Sequence, residues 1–363
     1  MPPILSIRKF ASLIGTPAPR LREIAANVKA HYRAFPLVNK NKVRQITAPD
    51  HELKVVQRRI VDNVLGKLTL GDGVHGGVRG RSPKSNAENH LGRPCVVTLD
   101  VRDFFPSVSH SRVYRMFRHE HGFGKDVASL LTRLTTFNGQ LPQGAPTSTA
   151  IANLLLASPV DVPLSIEGKR RGVVSSRFVD DMAFSGSNPR PMINAAGKML
   201  SRRGLSIYRQ NAKGQIKPKL EIRVRSQPQE ITGLNVNRRS GPSVPRKRRD
   251  DVRAAIHALR AMRDEELAPA TVSVRGRINH VRRFNPGAAK SLRTYLESTL
   301  AARRGAKAEQ RAQARDQFIL GRRLRAGQSR KPVGKPSEAD PYVAEMTLPV
   351  GQGGEAPNHV SRR

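Results

Sequence analysis

The 363 residues carry 65 Lys and Arg against 28 Asp and Glu, a formal net charge of +37 and a pI near 11.6; this far exceeds what solubility needs and calls for a polyanionic partner, nucleic acid held mainly by its phosphates and therefore salt-sensitive. Aromatic residues are only 4% with no Trp, which argues against a single-strand binder that works by base stacking, and the lone Cys95 excludes an intrachain disulfide and a Cys-based zinc site. No signal peptide and no run of about 20 apolar residues is evident, so a cytoplasmic protein without a membrane partner is expected.

In chain order, the stretch to about residue 35 reads as helical, with Leu21, Ile24, Ala25 and Val28 at helical spacing. Arg44 to Pro49 reads as a short strand ending in a turn. His51 to Leu70 gives a helix with Leu53, Val56, Ile60, Val64 and Leu65 on one face. A glycine-rich segment, Gly71 to Gly80, follows; its Arg79 and the adjoining Arg81 sit where glycines allow close backbone approach. Val96 to Leu99 is a β-branched strand ending on Asp100, and Asp103 is placed to cap a short helix after it. A helical stretch from about Ser109 to Thr136 leads to a loop with Pro142-Gln143-Gly144, and Ala150 to Ala157 resumes an apolar helix. Val173 to Phe184 reads as a hairpin, Met192 to Arg203 as a helix stopped by Gly204, and Ile231 to Val236 as a strand. From Pro245 the pattern is basic and helical, with Val252, Ile256 and Leu259 as the apolar face. Apolar residues thin out beyond about residue 300, and disorder is expected from Gly327 to Arg363. Strands and helices interleave without βαβ regularity, which favours an α+β fold with an antiparallel sheet.

The chemistry centres on Arg177-Phe178-Val179-Asp180-Asp181-Met182-Ala183-Phe184, an apolar run broken by two adjacent acids. A tight hairpin accommodates them and puts two negative charges at its tip. Such a tip is either solvated or holds a cation, and a hard cation needs further oxygen ligands. Asp100 is the evident third carboxylate. If its strand neighbours the hairpin, the three acids could hold two magnesium ions for an in-line phosphoryl displacement. A polymerase and a nuclease both need this arrangement.

The residues resemble those of reverse transcriptases of the bacterial retron type. Val97 to Val108 (Val-Thr-Leu-Asp-Val-Arg-Asp-Phe-Phe-Pro-Ser-Val), Leu141 to Ser148 (Leu-Pro-Gln-Gly-Ala-Pro-Thr-Ser) and Phe178-Val179-Asp180-Asp181 resemble the family's three palm motifs, in order. Arg44 to Pro49 with Leu53-Lys54 and Gln57-Arg58 resembles its fingers motifs. Asn86-Ala87-Glu88-Asn89-His90 and Ile231-Thr232-Gly233-Leu234 resemble two signatures of the retron branch. Three positions depart from the usual pattern: Phe178 stands for Tyr, Val179 for Ala, and Thr149 for Pro.

The resemblance implies a right-hand polymerase fold with helical fingers, an antiparallel-sheet palm and a helical thumb. It divides the chain into N-terminal helices and fingers (1–95), palm with an interleaved fingers segment (96–244), thumb (245–300) and basic tail (301–363). It implies Asp100, Asp180 and Asp181 as catalytic residues and ligands of two magnesium ions, with the Val101 carbonyl assisting. Arg44 and Lys42 (or Lys40) would contact the triphosphate, Gln143 and Gly144 the incoming nucleotide and template, and Phe105 would exclude a ribose 2′-hydroxyl. One of Lys213, Lys217 and Lys219 would serve the fourth motif. Asn86, His90, Arg79 and Arg81 would meet RNA, with core bracing the alternative for His90. The implied partners are deoxynucleoside triphosphates, a cognate structured noncoding RNA with its RNA–DNA product, and an effector protein. The implied reaction copies part of that RNA into DNA from a guanosine 2′-hydroxyl, in antiphage defence. Two alternatives stay open at this stage: a reverse transcriptase of another retroelement or defence class, and a catalytically inactive RNA-binding module.

Overall fold

The computed structural model describes residues 2–39, 42–208 and 220–328. Residues Met1–Leu300 form one compact unit and Ala301–Arg363 a second. The first opens with α1 (Ile7–Ile14), capped by the Ser6 hydroxyl and closed by Gly15 at φ 58, and α2 (Ala18–Ala26). The helical reading to residue 35 stops short. After a 3₁₀ turn at Val28–His31 the chain enters β1 (Tyr32–Asn39), which pairs antiparallel with β2 (Lys42–Pro49).

In α3 (His51–Asn63) the Asp50 carboxylate accepts the Leu53 amide at 2.9 Å. Leu53, Val56, Ile60, Val64 and Leu65 are all buried, although the helix itself ends at Asn63. Next come α4 (Pro83–Glu88), β3 (Cys95–Asp100), α5 (Phe104–Ser107), α6 (His110–Arg115) and α7 (Lys125–Thr135). The expected continuous helix over 109–136 is broken by a π turn at Met116–Glu120 and by Gly122 at φ 69.

The helix expected at 150–157 is longer. α8 (Ser148–Leu156) passes through a π turn at Ala157–Asp161 into α9 (Val162–Arg170). By length and composition alone this 23-residue stretch could cross a membrane, although Asp161, Glu167, Lys169 and Arg170 interrupt it. Its Ile151, Leu154, Leu155, Leu156, Val160 and Leu164 are instead buried in the protein core.

The remaining elements are β4 (Val174–Phe178), β5 (Asp181–Gly186), α10 (Pro191–Arg202), β6 (Glu221–Val224), β7 (Glu230–Ile231), β8 (Leu234–Asn235), α11 (Arg246–Ala258), α12 (Asp264–Arg282) and α13 (Pro286–Gln328). The single strand expected at Ile231–Val236 is a tight hairpin, because Thr232 and Gly233 both take positive φ (47 and 76), the pairing of a type I′ turn.

The central sheet has the order β4-β5-β3-β6 and is antiparallel throughout. Val97 and Leu99 of β3 face a core shared with α1, α2, α3, α7 and α8, while Val96 packs with Ile231, Val252, Ile256, Val274 and Leu292. Both faces are therefore covered, which is why β3 reads as an unbroken apolar run rather than an alternating one. The α+β expectation holds. In the second unit, described residues 301–328 are helical, and 301–323 are mostly exposed. Gly327, where disorder was expected to begin, lies in the last turn of α13; residues 329–363 lie outside the described residues.

Candidate active site

Asp100 ends β3 and is only 5% exposed. It stands opposite Asp181, the first residue of β5. The ladder continues one step further, where the Val101 amide donates to the Asp180 carbonyl at 3.1 Å. On the other side the Tyr208 amide donates to the Asp100 carbonyl at 3.1 Å. Val179 turns the hairpin at φ 62. The strand-end acid and the hairpin acids thus meet at one sheet edge, as their sequence contexts predicted.

An open cavity of 840 Å³ lies there, lined by Asp100, Val101, Phe105, Gln143, Gly144 and Asp180. Ile46, Arg58, Asp103, Thr149 and Tyr208 complete much of its wall. Asp181 does not line it. Phe105 is half-buried against Phe104, their ring centroids 5.8 Å apart. The Gln143 carbonyl accepts the Thr47 amide at 2.8 Å, which docks β2 on the cavity rim. Gly144 takes φ 126, and a Cβ there would lie 2.9 Å from Ile46 Cγ2 and 3.1 Å from the Thr47 oxygen. The strand carrying Arg44 and the Gln143-Gly144 loop are therefore in direct backbone contact. The side chains of Lys42 and Arg44, and residues Lys40, Lys213, Lys217 and Lys219, lie outside what is described.

Asp103 occupies the N-cap position of α5, with φ 42, but makes no side-chain cap bond. Its carboxylate instead accepts the Tyr208 hydroxyl at 3.2 Å. Two wall residues escaped the sequence reading as site residues. Among the described residues Arg58 is the cation that lines the cavity; its signal was its place one step after Gln57 on α3. Gln57 is buried and donates to Tyr32 Oη and the Leu134 carbonyl, both at 2.8 Å, so the next position turns outward. Tyr208 follows from pairing that no local pattern encodes.

Two of the four expected RNA contacts, Asn86 and His90, need correction. Asn86 is 1% and His90 0% exposed, so neither offers a surface to RNA. His90 hydrogen-bonds Ser185 Oγ at 2.6 Å and Ser176 Oγ at 2.7 Å, bracing β5 and β4 from inside. Burial, then the charges of His75 and Arg93, push its pKa down to about 3, so it stays neutral. Arg81 donates to the carbonyls of Gly71, Asp72 and Val74 and latches the glycine-rich loop. Only Arg79 of the four remains exposed without such a structural tie.

The donor set suits a hard divalent cation. Three carboxylates, Asp100, Asp103 and Asp180, and a backbone strand end border an open, solvent-reachable cavity with no sulfur or imidazole among its described wall residues. Among the described residues no three His, Cys, Asp or Glu side chains close into a cage. Magnesium tolerates this, because it keeps waters and substrate phosphates as ligands.

Residues 31–210 match the family described as reverse transcriptase (RNA-dependent DNA polymerase). That match spans β1 to Tyr208 and so contains every residue of the cavity wall named above. The chain is 31% identical over 284 residues to the retron Mx65 reverse transcriptase of Myxococcus xanthus, covering 72% of this chain and 63% of that protein. It is 29% identical over 340 residues to the retron Mx162 reverse transcriptase of the same organism (82% and 68%) and 27% over 282 residues to the retron Ec86 reverse transcriptase of Escherichia coli (76% and 83%). The chain thus spans less than two thirds of the Mx65 relative. Residues 31–210 form a domain of the reverse transcriptase family, which implies the right-hand polymerase fold. Within that family the chain belongs to the bacterial retron type.

Proposed function

We propose that this chain is the RNA-directed DNA polymerase of a retron. It would copy part of a cognate structured noncoding RNA into single-stranded DNA. The observation that supports this most is one cavity bordered by Asp100 and Asp180, walled by Gln143-Gly144 and Phe105, and rimmed by Arg58. In this reading residues 1–95 are fingers with N-terminal helices, 96–244 the palm, 245–300 the thumb and 301–363 a basic tail. The arginines of α11 and α12 then track nucleic-acid phosphates.

The reaction joins a hydroxyl oxygen to the α-phosphorus of a deoxynucleoside triphosphate and breaks the bond to the β-phosphate, releasing pyrophosphate. Asp100 and Asp180, with Asp181 and the Val101 carbonyl assisting, are the residues that would hold two magnesium ions. Such ions activate the attacking hydroxyl and neutralise the leaving oxygen. Arg58, with Arg44 and Lys42, neutralises the triphosphate. Gln143 and Gly144 seat the nucleotide on its template base. Phe105 fills the space a ribose 2′-hydroxyl would need. His90 and Asn86 hold the scaffold, and Arg79 is the RNA contact of that segment.

The remaining elements of the proposal are priming from a guanosine 2′-hydroxyl, a branched RNA–DNA product, a bacterial cytoplasmic setting, an effector protein as partner and a role in antiphage defence. Their support is the similarity to retron reverse transcriptases. Sequencing the nucleic acid that co-purifies with the active protein tests them together. A DNA joined through a 2′,5′ branch to one RNA is expected. Unbranched DNA from many templates would overturn the retron-specific part.

A further inference from the structure

Val179 is a β-branched residue at φ 62, immediately before Asp180. Such residues rarely adopt this backbone, so something must hold it. The holder is Arg177, whose side chain is 2% exposed and does not line the 840 Å³ cavity. Its Nη1 donates to the Val179 carbonyl at 2.8 Å and to Asn153 Oδ1 at 2.9 Å. Its Nη2 donates to the Asn153 carbonyl at 3.3 Å and to Asp161 Oδ2 at 2.6 Å, and its Nε to Asp161 Oδ1 at 2.8 Å. All five guanidinium N–H groups are thereby engaged, which a lysine's three donors in another geometry cannot reproduce.

The acceptors come from the long helical stretch behind the hairpin. Asn153 lies on α8, and Asp161 closes the π turn before α9. Asn153 Nδ2 also donates to the Gly76 carbonyl at 2.7 Å. Gly76 packs so closely that a Cβ there would lie 2.5 Å from the Val179 nitrogen. Main-chain bonds from Arg177 N to Gly73 O (2.7 Å) and from His75 N to Arg177 O (2.8 Å) lock the same loop to β4. The turn that carries Asp180 is thus gripped from helix, loop and guanidinium at once.

A buried ion pair is weak evidence for a stabilising role, since well-packed apolar residues of similar volume commonly do as well. A buried fork that ends on the carbonyl one residue before the catalytic acid points elsewhere. We propose that Arg177, through Asp161 and Asn153, is a positioning residue that fixes the Val179 turn and so sets the Asp180 carboxylate against Asp100. This rests on the reading of Asp100 and Asp180 as the catalytic pair.

The test uses full-length protein extending a primer on an RNA template, with magnesium and nucleotide titrations and thermal unfolding alongside. Two variants are compared, Arg177→Lys and the apolar double replacement Arg177→Met with Asp161→Leu. Misplacement of a reacting group by a fraction of an ångström to one ångström lowers turnover by about tenfold to a hundredfold. Both variants are therefore expected to lose kcat by about tenfold or more and to need more magnesium, with nucleotide KM within about twofold. The double variant is expected to unfold close to the wild-type temperature. A double variant with wild-type stability, kcat and magnesium dependence would overturn the proposal and leave the pair a packing feature. If the double variant does not fold, folded Arg177→Lys decides alone: wild-type kcat and magnesium dependence there overturn the proposal equally. A wild-type protein inactive on every RNA template would count against the polymerase reading itself, not against this positioning role.

Discussion

Replacing Gly144 with Ala perturbs the seam between β2 and the cavity without touching a carboxylate. At φ 126 an L-residue is strained wherever it sits, at a cost of about 1–3 kcal/mol. The added Cβ also meets Ile46 Cγ2 at 2.9 Å and the Thr47 oxygen at 3.1 Å. Ile46 can rotate, but the Thr47 backbone is tied to Gln143 by the 2.8 Å bond from its amide. Relief therefore means moving β2 off the rim and losing that bond, worth about 1 kcal/mol net. The sum, about 2–4 kcal/mol, opposes docking of the hairpin and corresponds to roughly 30-fold or more in the docked population. Gly144 is itself exposed at the cavity, so the loss should fall more on nucleotide binding than on global unfolding. Nucleotide KM in primer extension should rise by about tenfold or more while the melting temperature drops only a few degrees. Wild-type KM in a folded Gly144→Ala protein would refute the argument that β2 docking builds the nucleotide site.

Further outcomes follow from other contacts. Arg58→Gln removes a cavity cation and should raise nucleotide KM by about tenfold with little change in kcat, which steady-state kinetics will read. Phe105→Ala should let ribonucleotides in, lowering the preference for deoxynucleotides on the order of tenfold or more in competition assays. Arg81→Ala leaves the Gly71, Asp72 and Val74 carbonyls without their donor and should cost about 1–2 kcal/mol, seen as faster proteolysis within 71–80. His90 has a folded pKa of about 3, below the 6.5 of an exposed histidine. The unfolded chain therefore takes up this proton below pH 6.5 while the folded chain does not. Stability from this group is complete above pH 6.5 and falls towards pH 3, by about tenfold in the folding equilibrium per pH unit. His90→Gln should flatten the pH dependence of the melting temperature over that window; parallel curves for variant and wild type would contradict the assignment.

The sheet edge that carries the acids was legible because its signals are local. Val96 to Leu99 is a doubly buried strand, and two acids between bulky residues at 180–181 leave little choice but a turn. Asp100 could be brought to them only if the strands were neighbours, and the register opposite Asp181 shows that they are. Less was legible where structure depends on distant partners. β1 contains Pro36 and exposes Phe35, Leu37 and Val38, so it lacks the alternation that marks a strand. β6 is a four-residue edge with half-exposed alternation. The apolar helix expected over Ala150 to Ala157 runs on past Pro159 and Pro163, because the π turn at Ala157–Asp161 and core packing carry it to Arg170. Arg177 reads from sequence as one more basic residue; only its five engaged donors reveal it as internal. For Asn86 burial speaks against the RNA contact that the resemblance implied, and for His90 the bonds to Ser185 and Ser176 favour core bracing, the alternative held open for it.

The proposed function places Asp100 and Asp180 in one polymerising centre on an RNA template. Its most direct test is primer extension with deoxynucleotides and magnesium on RNA, comparing wild type with Asp100→Asn and Asp180→Asn at matched folding and RNA affinity. Both variants should lose at least about a thousandfold in rate while binding RNA normally. Extension by either variant near the wild-type rate would contradict the account.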